Sequence, residues 1–181
     1  MSGIFKLQPM GSGPLITLGL LTLLFGGIAV LIAFGPTPLL AKMALVLLFL
    51  AIAGLPWALF QAQRRATLRV DATAVRIDVP IYARSFKLSD IDAASLHLFS
   101  IRDYPDLKPL LRTNGIGMPG LAVGWYRLRN GSRAYIAATT SDVLGWRMKD
   151  GLTVMVGLDD GAGALALMRD HLKSASQAAA R

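Results

Sequence analysis

The chain has 181 residues, 54% hydrophobic and only 17% charged, with 19 Lys and Arg against 11 acidic residues and a formal charge of +8. Soluble domains average about 25% charged residues, so the composition excludes an ordinary soluble protein as a description of the whole chain. With no cysteine, disulfides, thiolate metal sites and cysteine nucleophiles are excluded as well.

The charge is unevenly placed. Residues 14–60 carry one charge, Lys42, and every acidic residue is an Asp at or beyond Asp71. Beyond the pair Arg64-Arg65, arginines are scattered singly along alternating segments, with no longer basic run. This points to anionic lipid and membrane orientation as the role of the positive excess, and away from nucleic acid.

In chain order, residues 1–13 form a tail carrying Lys6. Residues 14–34 read PLITLGLLTLLFGGIAVLIAF, with no charged side chain. At ~1.5 Å per residue the run covers the ~30 Å hydrocarbon core of a bilayer. It is too long for the apolar region of a cleaved signal peptide, and a turn (Gly35-Pro36-Thr37-Pro38) and a second apolar run at 39–60 follow it. Lys42 lies near the start of that second run, where its ammonium can reach the headgroups. The two runs predict a transmembrane helical hairpin. Small residues recur every seven positions on each helix (Gly19, Gly26 and Ala33, with Thr22 and Ala29 between them; Ala44, Ala51 and Ala58) and are expected to pack the two helices together, the alternative being a homodimer seam. Lys6 and the amino terminus precede the first helix, and Arg64, Arg65 and Arg69 follow the second, so both ends are expected in the cytoplasm. Trp57 would sit at the inner interface.

After a basic linker at 61–65 the pattern changes to alternation. Val75, Ile77 and Val79 alternate with Arg76 and Asp78; Gly124, Tyr126 and Leu128 with Trp125, Arg127 and Arg129; Leu144, Trp146 and Met148 with Gly145 and Arg147. Each is the pattern of a half-buried antiparallel strand. Asn130-Gly131 and Asp150-Gly151 accept positive φ and predict hairpins over 121–139 and 142–157. Further strands are expected at 67–70, 74–79, 81–88 and 92–99. Asp159 or Asp160 can cap a final helix that places Leu165, Met168 and Leu172 on one face. Residues 174–181 are expected to be disordered.

The stretch Arg112-Thr113-Asn114-Gly115-Ile116-Gly117-Met118-Pro119-Gly120, followed by Gly124-Trp125-Tyr126-Arg127-Leu128 and Asn130-Gly131, resembles the signature of bacterial pleckstrin-homology-like (PH-like) domains. Members of that family are often tethered to transmembrane helices. The resemblance spans 66–173 loosely and 112–157 best. It implies a PH-like fold in a bacterial inner-membrane setting and carries no catalytic residues over. The expected fold class is therefore a membrane protein of α+β type: a two-helix transmembrane hairpin, then a PH-like antiparallel β-roll or barrel capped by a C-terminal helix. Its phosphoinositide-binding eukaryotic counterparts use basic residues in the first hairpin, but the turn here, Val70-Asp71-Ala72-Thr73-Ala74, is acidic.

Chemistry-bearing motifs are sparse. Gly115, Gly117 and Gly120 match G-x-G-x-x-G in form, but an alternating strand follows where a dinucleotide site needs a helix. His97 and His171 are the only histidines, and the paired aspartates fit caps and turns. No catalytic, cofactor or metal site is assigned. Two surfaces are singled out instead: Arg64, Arg65, Arg69 and Trp57 against headgroups, and Tyr104, Leu107, Leu110 and Leu111 on the long segment 100–120, expected to be a loop that acts as a structural lid or a partner surface. The reading is a membrane-tethered, non-enzymatic interaction module at the cytoplasmic face, with a protein partner; the alternative is a domain that binds anionic lipid or a small ligand.

Overall fold

A computed structural model describes residues 2–9, 12–36, 38–118 and 120–179. Two long helices, α1 (Ser12–Phe34) and α2 (Leu39–Gln63), lie side by side as a hairpin. Gly35 and Pro36 end α1, and Lys42 falls in the first turn of α2, its N–H donating to Pro38 O at 2.9 Å. The Phe25 and Phe49 rings stack across the hairpin at 6.1 Å, and Ala29 and Ala53 are buried in it. Ala29 belongs to the expected small-residue stripe of α1, whose Gly26 and Ala33 are half-buried, so that stripe makes the contact in part. Gly19, Ala44, Ala51 and Ala58 are exposed, and a Cβ on Gly19 or Gly26 would meet nothing within 4 Å. Thr22, on the same stripe, also reaches across: its hydroxyl lies 3.4 Å from Ala53 O.

Among the described residues the remaining elements are ten strands, three short 3₁₀ turns and a third helix. Strands β1 (Gly3–Lys6), β2 (Thr67–Val70), β3 (Ala74–Asp78) and β4 (Arg84–Lys87) form one antiparallel sheet in that order. The second sheet holds β5 (Ile91–Ser100), β6 (Pro109–Met118), β7 (Leu121–Leu128), β8 (Arg133–Ala138), β9 (Asp142–Met148) and β10 (Thr153–Val156), in the order β5-β9-β10-β8-β7-β6. Alternation does the folding here. Leu68 and Val70, Val75 and Ile77, and Phe86 turn inward from the first sheet to meet Val123, Tyr135, Leu144, Trp146 and Val154 of the second. Phe86 packs edge-on against both Tyr135 and Trp146, at 5.8 and 6.3 Å. Helix α3 (Gly161–Ala179) closes this core with Ala164 and Met168, flanked by Leu165 and Leu172. Asp160 caps it, its Oδ1 accepting from the Gly163 N–H at 2.8 Å.

Both expected hairpins form, with Gly131 at φ 80° and Gly151 at φ 83° in their turns. Gly115 and Gly124 face each other across β6 and β7 so closely that a Cβ on Gly115 would lie 2.4 Å from Val123 O. That approach, within a strand, accounts for one glycine of the G-x-G-x-x-G match.

Several expectations are corrected. Residues 3–6 are an edge strand paired to β2, with Gly3 opposite Val70 and Lys6 opposite Thr67, so the amino terminus belongs to the β domain. Leu7 behind it is buried in the core. The 61–65 linker is helical through Gln63, and the terminal helix continues over residues expected to be disordered, through Ala179. Residues 180–181 lie outside those described, as does Pro119. The 100–120 segment is not one loop: Pro109–Met118 is strand. Finally, one strand pair breaks the antiparallel expectation. β10 lies between β9 and β8 and runs parallel to β8, with Val154 opposite Tyr135. The cause is the joint between β8 and β9. Thr139-Thr140-Ser141 offers no positive-φ glycine for a tight hairpin, whereas Asp150-Gly151 does, so β9 folds back with β10 and leaves it in the gap.

Candidate functional site

The β1–β2 pairing defines one end of the sandwich. Lys6 and Thr67 are Cα partners, so α1 leaves and α2 returns at neighbouring points. β2 runs away from that end and β3 runs back to it, which brings the 79–83 turn level with Arg65 and Ala66. The β8–β9 connection reaches the same end: Gln8 donates its N–H to Gly157 O at 3.1 Å and accepts from the Thr139 hydroxyl at 3.1 Å. The Thr140 hydroxyl donates to the Gln8 side chain.

Arg64 and Arg65 are exposed at this end. Arg69 lies within β2, and its guanidinium is 3.0 Å from Asp78, which also takes Arg76 at 2.6 Å. Of the three arginines in the expected headgroup set, Arg69 is therefore committed to an ion pair. The Trp57 side chain lies outside those described.

The second predicted surface is divided. From Ser100 the chain makes two 3₁₀ turns, Ile101–Asp103 and Pro105–Leu107, and crosses the outer face of the six-stranded sheet from the helix-proximal end to the distal one. That outer face is apolar, with Leu128, Ala134, Ile136, Val143 and Met155 buried on it. Phe99, Ile101 and Leu107 of the crossing strap pack onto it. Tyr104 is 45% exposed, but its ring stands edge-on against Phe99 at 5.1 Å. His97 stacks on the same Phe99 at 4.8 Å, its Nδ1 2.6 Å from Ser95 O. Leu107 and Tyr104 thus belong to a structural strap. Leu110 and Leu111, 67% and 59% exposed, lie on edge strand β6 and stand apart from it.

Between the strap and β6–β8 lies a cavity of about 350 Å³. Ile136 and Ala138 line its floor, and Arg102, Lys108 and Thr140 its rim. Sequence reasoning missed this groove because its two cations lie three and nine residues beyond the nearest predicted strand, 92–99, and meet only through the crossing. The cationic rim over an apolar floor suits an anionic group with an apolar tail. Two tyrosines near the groove and the core are perturbed. Burial holds the Tyr135 hydroxyl well above its ordinary value, with Arg84 opposing more weakly, and burial raises Tyr126 against the pull of Arg112. Tyr135 donates to Tyr82 O at 2.6 Å and Tyr126 to Ile116 O at 2.8 Å, so both are structural donors.

Helix α1 supplies the remaining feature. Ile16–Phe34, 19 residues with mean hydropathy 2.5, is long and apolar enough to cross a membrane, and its leucines face outward, Leu23 at 75% exposure. Among the described residues α2 contributes a shorter apolar run, Leu39–Gly54. No group of three His, Cys, Asp or Glu side chains that could hold a metal ion occurs among the described residues. The chain as a whole is an α+β protein with one apolar helix suited to membrane association, and no family model, curated protein or solved structure matches it.

Proposed function

We propose that this chain is a membrane-tethered, non-enzymatic interaction module of PH-like type. In this reading α1 and α2 cross the bacterial inner membrane as a hairpin, both termini lie in the cytoplasm, and the sandwich is held at the inner leaflet to bind a protein partner. One observation carries it. Lys6 pairs with Thr67, so the two helices leave the β domain together, and they expose leucine and phenylalanine to their surroundings, Phe34 at 88%. Soluble monomers rarely expose a contiguous apolar surface of this kind. Tethering raises the local concentration of the domain at the membrane, and the free edge of β6, with Leu110 and Leu111, is a place for strand addition.

The tether is tested by single-cysteine labelling, for which a chain without cysteine is suited. In intact cells an impermeant maleimide is expected to modify Gly35→Cys and spare Ala72→Cys. Modification of both from outside, or of neither after permeabilising the outer envelope, overturns the topology. Recovery of the bare protein alone from several gentle detergents would count against a stable partner.

A second reading is favoured by the groove under the strap: an anionic lipid or small anionic ligand held by Arg102 and Lys108 over Ile136 and Ala138. It requires that binding of the full chain to anionic micelles weaken with salt, as contacts to exposed cations do, and that Arg102→Gln with Lys108→Gln remove that dependence.

A further inference from the structure

Ile81 sits in a conformation that its side chain disfavours. Its φ is 68°, and it is the only non-glycine residue with positive φ among those described. Tyr82 donates its N–H to Pro80 O at 2.8 Å, which closes a three-residue turn around Ile81. This form of γ-turn is rare and strained, and a β-branched residue at positive φ is an outlier that persists only where its surroundings impose it. They do so on both sides. Val79 is buried in the core before the turn. After it, the Tyr82 hydroxyl donates to Asn114 Oδ1 at 3.1 Å and its carbonyl accepts from Tyr135 at 2.6 Å. The result is a rigid tip with an isoleucine 75% exposed to its surroundings.

The position of that tip supplies the reason. The turn connects β3 to β4 at the end of the sandwich where α1 and α2 join it, since Asp78 lies opposite Thr67 and Ile77 opposite Arg84. Arg64 and Arg65 are exposed at the same end, and Arg84, next after the turn, is held over the Trp125 ring at 5.3 Å. An apolar tip flanked by arginines and a tyrosine matches what a membrane interface accommodates.

We propose that Ile81 is an interfacial anchor: it enters the boundary between headgroups and acyl chains of the bilayer that holds α1, giving the sandwich a second attachment and a fixed tilt on the membrane. The anchor rests on the membrane-tethered reading above. It differs from the arginine contacts in being apolar, and it follows from the tertiary position of a turn that strand patterning passes over.

The full chain, reconstituted in vesicles of phosphatidylethanolamine and phosphatidylglycerol with brominated acyl chains, tests it. A small environment-sensitive fluorophore is placed on one cysteine at a time: Leu23→Cys in α1, Ile81→Cys at the tip, Ala83→Cys beside it, and Ala72→Cys in the turn at the far end. Bromine is expected to quench the labels at 23, 81 and 83 several-fold more than the label at 72. With Ile81 intact, the Ala83→Cys label also guards against a turn disturbed by substitution. Adding Ile81→Ser to that chain is expected to at least halve its quenching. If the label at 23 is quenched while those at 81 and 83 match 72, the anchor is wrong and the tether stands. If Ile81→Ser leaves quenching at 83 unchanged, the anchor is likewise overturned. If the label at 23 escapes quenching, the membrane reading falls and takes the anchor with it.

Discussion

At the scale of single residues, burial decides more than charge. Tyr135 places its hydroxyl inside the sandwich and spends it on Tyr82 O. Burial therefore favours the neutral phenol, and its folded pKa stands above the unfolded value of about 10. A group raised in this way contributes fully below the unfolded pKa and loses its contribution as pH rises. Above about pH 10 the unfolded chain releases the phenolic proton that the folded chain keeps, so stability should fall with pH, by at most ~1.4 kcal/mol per unit for this group. Denaturant midpoints followed from about pH 9 to pH 11 are expected to drop, and Tyr135→Phe to flatten the slope, at a cost near neutrality of about 1 kcal/mol for the lost hydrogen bond. An unchanged slope in the variant would assign the alkaline loss elsewhere. The same scale explains Arg69. Alternation sends its side chain to the outer face of β2, where Asp78 of β3 is within reach, and the ion pair holds it on the sheet.

At the scale of elements, β1 is the strand with the largest consequence for its length. Four residues pair with β2, and Leu7 beyond them reaches the core and bridges to Leu158. Truncating a buried leucine removes its transfer free energy and leaves a cavity, so Leu7→Ala should cost about 2–4 kcal/mol. Chemical unfolding monitored in the aromatic region reads this directly, because Phe86, Tyr135 and Trp146 lie in the same core. A loss under about 0.5 kcal/mol would mean that the amino-terminal strand is not part of the cooperative unit. The strap over the outer sheet face shows the complementary case. Proline at 105 and 109 stiffens it, yet what holds it down is Phe99, Ile101 and Leu107 on a surface that would otherwise be open. Such a segment was legible as unusual in the sequence, and only its partner face makes it structural.

At the scale of the whole molecule, the helical hairpin is an insertion between two adjacent strands. The Cα atoms of paired antiparallel residues are about 5 Å apart, so the sandwich does not need the helices to bring Lys6 to Thr67. Replacing residues 10–63 with a short Gly/Ser linker is expected to leave a folded sandwich, free of detergent, with dispersed amide resonances. Beginning the chain at residue 66 should leave β2 with an open edge and Leu7 missing from the core, and such a chain is expected to aggregate. Equal solubility of the two would show that β1 is dispensable.

The local chemistry of the chain was enough to determine the apolar helix of residues 16–34, the hairpin turns at Asn130-Gly131 and Asp150-Gly151, the inward set Val75, Ile77, Leu144 and Trp146, and the capped helix carrying Met168. Each depends on periodicity or turn geometry over a few neighbouring residues, and the sequence states those directly. Tertiary contact decided the rest. Gly3–Lys6 is too short to show a period, and it becomes a strand because Thr67–Val70 offers an edge. Pro109–Met118 hides its alternation behind two register shifts and becomes a strand because β7 lies beside it. β10 runs parallel to β8 because a longer-range gap admits it, and Ile81 takes a positive φ because Val79 and Tyr82 are held elsewhere. The energies that choose these outcomes come from residues distant in sequence, so no local pattern could carry them.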